Sequence, residues 1–440
     1  MVKEPGRGMN PLVRGWYNSS LAVILESVVI GLVVGLVVSA FRGLLDVLNG
    51  SRLCLYGFLP GRAWYWTALW VLALVLTGLL LGWAAASRPM IRGSGIPQVK
   101  GALLRLMTLD WKPELPLKFI TGLAGIGAGL SLGREGPSIQ IGAYVGKGVL
   151  TIFRRPNHER RILVTAASAA GVAAAFNAPL AGVLFVLEEL QSSLSPLFIS
   201  CSLGAAMASD LVAGYFFGTG PVFDFRHINV LPLRFLPWIV LLGILCAVLG
   251  DLFKRSLYLS LSFYDWFPVP RILRPVVPLL LSVPLGFFLY DSTGGGHDLI
   301  ESLSRGGHPR NFMLLLLAVK VLFTAVCYGS GTSGGIFLPL LTCGALTGAI
   351  LGECLEWAGI AAEEQSLNFI ILGMAAFFTG AVKAPVTGIV LILEMSGNFD
   401  QLGGLVLVCF SGFVMSELIA SRPVYAVLLE RMTGRAGAKG

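Results

Sequence analysis

Apolar residues run in long blocks along the chain, at 20–41, 64–86, 232–250 and 401–420, divided by short polar or glycine-rich breaks. Each block is near the ~20 residues an α-helix needs to cross the hydrocarbon core of a bilayer. Other apolar blocks, at 115–132, 138–153, 162–176, 178–189, 367–380 and 383–395, are shorter and end at Gly, Pro and polar clusters. Helices broken at membrane depth persist only where the freed backbone is buried in protein or lines a watery cavity. The pattern predicts an all-α polytopic membrane protein, built as a transporter or pore rather than as a plain bundle.

Composition agrees: of 440 residues, 55% are hydrophobic and 13% charged, against about 25% charged in soluble domains. The 55 glycines permit close helix contact and exposed backbone amides. A net charge of +8 belongs in cytoplasmic loops of a membrane protein and does not imply nucleic-acid binding. The first 19 residues carry Lys3, Arg7 and Arg14 and lack the apolar core of a cleavable signal peptide. They are expected to be a cytoplasmic segment. The seven cysteines are scattered through apolar runs without metal-ligand spacing and are expected to be small buried hydrophobes. The four histidines form no cluster, so neither a metal site nor a cofactor is expected.

The chain repeats itself. At a shift of 202 residues, Lys118 meets Lys320, Gly127 meets Gly329, Ser131 meets Ser333, Gly133 meets Gly335 and Pro137 meets Pro339. At a shift of 206, Ala178-Pro179 meets Ala384-Pro385 and Leu187-Glu188 meets Leu393-Glu394. Glycine and alanine matches are cheap in such a chain, but ordered Lys, Ser and Pro matches are not. Two homologous membrane halves follow, 20–218 and 232–420, with a connecting loop at 219–231 and a C-terminal helix and tail at 421–440. The loop from Arg154 to Arg161 is strongly basic, whereas its counterpart holds Glu353, Glu356, Glu363 and Glu364. By the positive-inside rule only the first is cytoplasmic, so the halves are expected to be inverted. Inverted repeats bring broken helices together at the midplane. The cluster Arg88, Arg92, Lys100 and Arg105 is also expected on the cytoplasmic face.

Four motifs carry candidate chemistry. Gly93-Ser94-Gly95-Ile96-Pro97 offers backbone amides, a hydroxyl and a helix start to an anion, or else is an interhelical turn. Gly133-Arg134-Glu135-Gly136-Pro137 places a carboxylate at a helix start, where it would occupy an anion's place when ionised and leave it when protonated. The alternative is an interfacial ion pair closing a loop. The segment 329–339, at the equivalent place in the second half, replaces the charged pair with Ile336-Phe337 and so presents bare amides. Ser421-Arg422-Pro423-Val424-Tyr425 follows the last apolar block. Ser421 is expected to cap a terminal helix that carries the Tyr425 phenol. A remote alternative, an intramembrane serine hydrolase using Gly331-Thr332-Ser333-Gly334, needs an embedded base, and no histidine lies in a clear span.

This ordered set resembles the signature of the chloride channel/transporter family over about residues 20–430. The resemblance implies a homodimer of inverted-repeat subunits, each with its own pore. It implies that Ser94 and Tyr425 donate from side chains to a central anion and that Ile336 and Phe337 donate from their amides. It makes Glu135 the external gate. In Phe185-Val186-Leu187-Glu188-Glu189 it assigns internal proton transfer to Glu189. An acid there resembles the antiporters of the family rather than its channels, so proton-coupled chloride exchange is expected, with a passive chloride channel as the alternative. Serine at position 94 implies chloride, with bromide and nitrate also carried. No cytosolic regulatory (CBS) domain is expected beyond Tyr425. The resemblance places the protein in a prokaryotic plasma (inner) membrane, with both termini cytoplasmic.

Overall fold

The computed structural model describes residues 20–153, 157–190, 195–226 and 228–434. The first-half helices are α1 (Ser20–Phe58), α2 (Trp64–Ser87), α3 (Ile96–Leu103), α4 (Trp111–Gly127), α5 (Glu135–Phe153), α6 (Asn157–Phe176), α7 (Pro179–Phe185) and α8 (Pro196–Phe217). The second half has α9 (Leu236–Trp266), α10 (Val276–Phe288), α11 (His297–Ser304), α12 (Arg310–Gly329), α13 (Phe337–Trp357), α14 (Glu363–Ser366), α15 (Asn368–Val382), α16 (Pro385–Ser396) and α17 (Leu402–Leu418). A terminal helix α18 (Val424–Thr433) follows. Among the described residues the only β pairing is two isolated bridges. Among the described residues eight helical segments are long and apolar enough to cross a membrane. Three of the blocks expected to be short are longer as helical segments: α5 has 19 residues, α6 has 20, and the block at 367–380 lies in the 20-residue apolar segment Glu363–Val382. The basic loop used to orient the first half falls partly outside the described residues, at 154–156.

Helix contacts follow membrane rules. Apolar side chains gain little from meeting each other in lipid, so small residues that let backbones approach take over the interfaces. Ser27, Gly31 and Gly35 form such a stripe on α1, against α8: a Cβ at Gly31 would fall 2.3 Å from the Ala205 carbonyl oxygen. Other faces of α1 expose Leu21, Leu25 and Leu36, as a lipid-facing surface does. Among the described glycines the closest backbone approach joins α13 to α15. A Cβ at Gly348 would lie 1.8 Å from the Phe369 oxygen, and one at Gly344 would lie 2.3 Å from the Gly373 oxygen.

The repeat is visible in matched contacts. Lys118, fully buried on α4, donates to the carbonyls of Ile91 (3.0 Å) and Gly93 (2.7 Å). Lys320, fully buried on α12, donates to Ser292 (3.2 Å) and Gly294 (2.8 Å). Across the halves, Gly133 and Gly335 exchange two N–H···O bonds of 2.7 Å. Glu188, just past α7, accepts from the N–H groups of Val386 (3.3 Å) and Thr387 (2.7 Å) at the start of α16. Glu394, near the end of α16, accepts from Leu180 (3.1 Å) and Ala181 (2.7 Å) at the start of α7. Reciprocity of this kind is what a twofold axis between two halves produces. An axis in the membrane plane makes the repeat inverted and brings its broken helices to the midplane.

Five cysteines are buried as expected, but Cys54 is exposed and Cys354 is half-buried. Cys54 lies on α1, which is long enough to carry it out of the packed interior.

Candidate functional site

Four chain segments converge where the halves meet. Gly93 and Gly95 have φ of +60° and +90°, a left-handed conformation that glycine adopts without strain. The turn between them is fastened to the second half: the Gly93 N–H donates to Thr332 (2.9 Å), and the Gly334 N–H donates back to Gly93 (3.1 Å). Ser94 is completely buried. Its hydroxyl oxygen accepts from the Ile96 N–H at 3.3 Å, which leaves the hydroxyl proton to be given elsewhere. The Lys118 ammonium sits behind this turn, on the Gly93 carbonyl.

Glu135 opens α5 and is fully buried. Neither carboxylate oxygen has a hydrogen-bond partner among the described residues. A Cβ at Gly133 would lie 2.3 Å from Glu135 Oε2 and 3.1 Å from the Leu338 nitrogen, so the carboxylate rests over the starts of both α5 and α13. Its neighbour Arg134 turns away and pairs with Asp46 at 2.9 Å. The charges at 134 and 135 are therefore not an ion pair with each other, which removes the loop-closing alternative.

Ile336 is the N-cap of α13, and no side chain caps that end. The Phe337 ring packs against Phe176, Phe185 and Phe378, with centroids 5.0, 5.9 and 4.7 Å away. These aromatic contacts anchor the helix start, and the dipole of α13 favours negative charge there.

Tyr425 stands in the first turn of α18, fully buried, with its ring edge-on to Phe185 at 6.4 Å. Its hydroxyl has no partner among the described residues. Ser421 does not cap α18. The N-cap is Pro423, and Ser421 Oγ instead donates to Asp251 (2.5 Å) and accepts from Lys254. Lys254 also donates to the Arg422 carbonyl at 3.0 Å. A buried lysine thus outcompetes the helix start for this serine and holds the elbow that aims Tyr425.

Glu188 and Glu189 lie on a π-helical turn, Val186–Leu190, and diverge. Glu188 bonds the start of α16, as described above. Glu189 is 5% exposed and pairs with Lys100 on α3 at 2.7 Å. Tyr425 lies within electrostatic reach of both Glu135 and Glu189. Ser94, Glu135, Ile336, Phe337 and Tyr425 are all buried in this region, with Glu189 on its flank. Sequence reasoning missed two supporting residues. In the sequence Lys118 stands out only as a repeat marker and Lys100 only as one of a basic cluster; the match of Lys118 to Lys320 is the available signal for the first.

Two cavities approach the region. One, of about 430 Å³, reaches Leu132, Arg134 and Leu338 beside Glu135. The other, of about 330 Å³, reaches Gly93 beside Ser94 and is lined by Arg92, Arg271, Arg274 and Arg431. The region itself brings together two carboxylates, a phenol, a serine hydroxyl and an uncapped helix start. Such a set can hold a small anion by dipoles and can hold protons at either end. Ser333 Oγ, the nucleophile of the hydrolase alternative, is buried with no partner to act as its base among the described residues.

Residues 77–417 match the family model described as voltage gated chloride channel. The chain is 32% identical over 434 residues to the H(+)/Cl(−) exchange transporter ClcA of Citrobacter koseri, covering 96% of this chain and 91% of that one. It is 32% identical over 430 residues to the protein of the same name from Klebsiella pneumoniae, covering 94% and 89%. Among solved structures it resembles a slow cyanobacterial Cl⁻/H⁺ antiporter, with TM-score 0.88, 28% identity and coverage of 94% and 98%. A CLC-type fluoride/proton antiporter, at TM-score 0.77, 23% identity and coverage of 90% and 96%, shares the fold.

Proposed function

The chain belongs to the voltage gated chloride channel family, and from that premise we propose that it is a secondary active transporter exchanging chloride for protons. The observation that carries antiport over passive conduction is Glu189. It is a buried acid paired with Lys100, and Tyr425 lies within electrostatic reach of both it and Glu135. A passive anion path has no use for a second buried carboxylate there, and intramembrane acids are functional candidates because leaving them is costly.

In this reading one dehydrated chloride is held by the Ser94 and Tyr425 hydroxyls and the Ile336 and Phe337 amides. No lysine or arginine need touch it, since several dipoles share the desolvation cost. Lys118 braces the Ser94 turn from behind by donating to the Gly93 carbonyl. Glu135 competes with chloride for the starts of α5 and α13 when ionised and withdraws when it takes a proton. Glu189 passes that proton to or from the cytoplasm. The protein works as a homodimer in the inner membrane, one pore per subunit, with repeats at 20–218 and 232–420 and both termini cytoplasmic.

Reversal potential under combined chloride and proton gradients tests the reading. Purified protein in liposomes should drive protons uphill when chloride flows downhill. Glu135→Gln and Glu189→Gln should each keep chloride flux and abolish proton movement. A reversal potential set by chloride alone in the parent protein makes it a channel. Coupling that survives Glu189→Gln removes that residue from the proton path.

A further inference from the structure

We propose that Lys100 is a positioning residue for proton uptake: its ammonium pairs with the Glu189 carboxylate and biases the pH at which that group loads a proton. The inference deepens the antiport reading and rests on Glu189 being the internal proton carrier.

The geometry is specific. Lys100 Nζ and Glu189 Oε1 are 2.7 Å apart, with the glutamate side chain 5% exposed and the lysine 22% exposed. Glu189 is thus nearly enclosed, whereas its partner retains a route to water. The charged and titratable groups facing Glu189 among the described residues are Lys100 on α3, Glu188 on its own turn and Tyr425 on α18. Glu188 is already engaged by the amides of Val386 and Thr387, and Tyr425 is a neutral phenol at ordinary pH. Lys100 is therefore the one cation opposite the carboxylate.

Loading is a proton transfer from hydronium to a Glu189 oxygen; an O–H bond forms and water leaves. The neutral acid no longer holds the ammonium, which can then turn toward water along its own flexible stem. Unloading restores the pair. An opposite charge within about 4 Å typically favours the ionised carboxylate by one to three pH units, so Lys100 makes loading demand a more acidic cytoplasm. The same residue lies on α3, a helix of eight residues whose entry turn carries Ser94. Release of the ammonium therefore occurs on the element that holds the anion.

The test uses the full-length protein in liposomes, with the pH varied on the cytoplasmic side. Lys100→Met removes the charge and keeps the stem; Lys100→Arg keeps the charge. The Met variant should remain coupled, and the pH of half-maximal coupled transport should move upward by roughly one unit or more. The Arg variant should lie near the parent. In a Glu189→Gln background there is no carboxylate to hold, so adding Lys100→Met should leave the residual chloride flux unchanged. A parental pH profile in the Met variant overturns the proposal, as does a further loss of chloride flux in the double variant, which would place Lys100 on the anion path. If Glu189→Gln alone leaves coupling intact, it is the antiport assignment of Glu189 that fails, and that result is distinct from a null effect of Lys100→Met in a protein whose Glu189 matters.

Discussion

Tyr425→Phe separates binding from folding because the Tyr425 hydroxyl is buried without a protein partner. Deleting a hydroxyl that bonds to protein normally destabilises a fold. Deleting one with no partner removes a buried unsatisfied group, whose cost is about 1–3 kcal/mol. In chloride-free buffer, with a bulky organic anion as replacement, the Phe variant should melt at or above the parent temperature. Chloride binding should weaken, since a hydrogen bond to a charged group contributes about 1.5–3 kcal/mol. That raises Kd roughly ten- to a hundredfold. The two effects meet in one assay. At a chloride concentration 100 times the parent Kd, ligand linkage stabilises the parent by about 2.7 kcal/mol. The same concentration should stabilise the Phe variant by about 1.4 kcal/mol if affinity falls tenfold, or about 0.4 kcal/mol if it falls a hundredfold. Thermal melting against chloride, checked by calorimetric titration, reads both. Tyr425→Ala also removes the ring that lies against Phe185. It should bind chloride more weakly still and lose proton coupling, as chloride slips past without waiting for Glu135. A Phe variant that binds chloride as tightly as the parent refutes the donor role. One that is destabilised without chloride shows that the hydroxyl serves the fold.

Glu188→Ala should strip the acceptor from the N–H groups of Val386 and Thr387 and lower stability by about 2–4 kcal/mol, while the chloride-to-proton ratio stays unchanged. Glu188→Gln should fall between, and lost coupling with unchanged melting would overturn this structural assignment. Gly348→Ala should prevent recovery of folded protein or destabilise it by ~3 kcal/mol or more, because the added methyl meets the Phe369 carbonyl on a packed helix. Gly403→Ala, on α17 where a Cβ would meet nothing within 4 Å, is the matched control and should melt at or above the parent temperature; equal melting of both alanine variants would refute the close-packing account.

Much of this protein was legible in its residues. Apolar block length is set by bilayer thickness, so the membrane class and four of the eight long spans among the described residues follow from spacing alone. The repeat was readable because glycine, proline and buried lysine cannot be exchanged cheaply where backbone turns at membrane depth; Lys118 and Lys320 prove to hold the same pair of carbonyls in each half. The positions of Ser94, Glu135 and Phe337 at helix starts were likewise written in Gly and Pro.

Only the tertiary structure decided what depends on direction and competition. Glu188 and Glu189 are adjacent and chemically alike; the family resemblance singles out Glu189, but nothing in the local chemistry says what either one meets. A π-helical turn sends one to the start of α16 and the other to Lys100. Lys100 read as one more basic loop charge because its partner lies 89 positions away. Ser421 read as a helix cap because capping is a local rule, but Lys254 and Asp251, distant in sequence, reach it first. Local motifs name the groups that can act, and the packing of the two halves determines which partner each group meets.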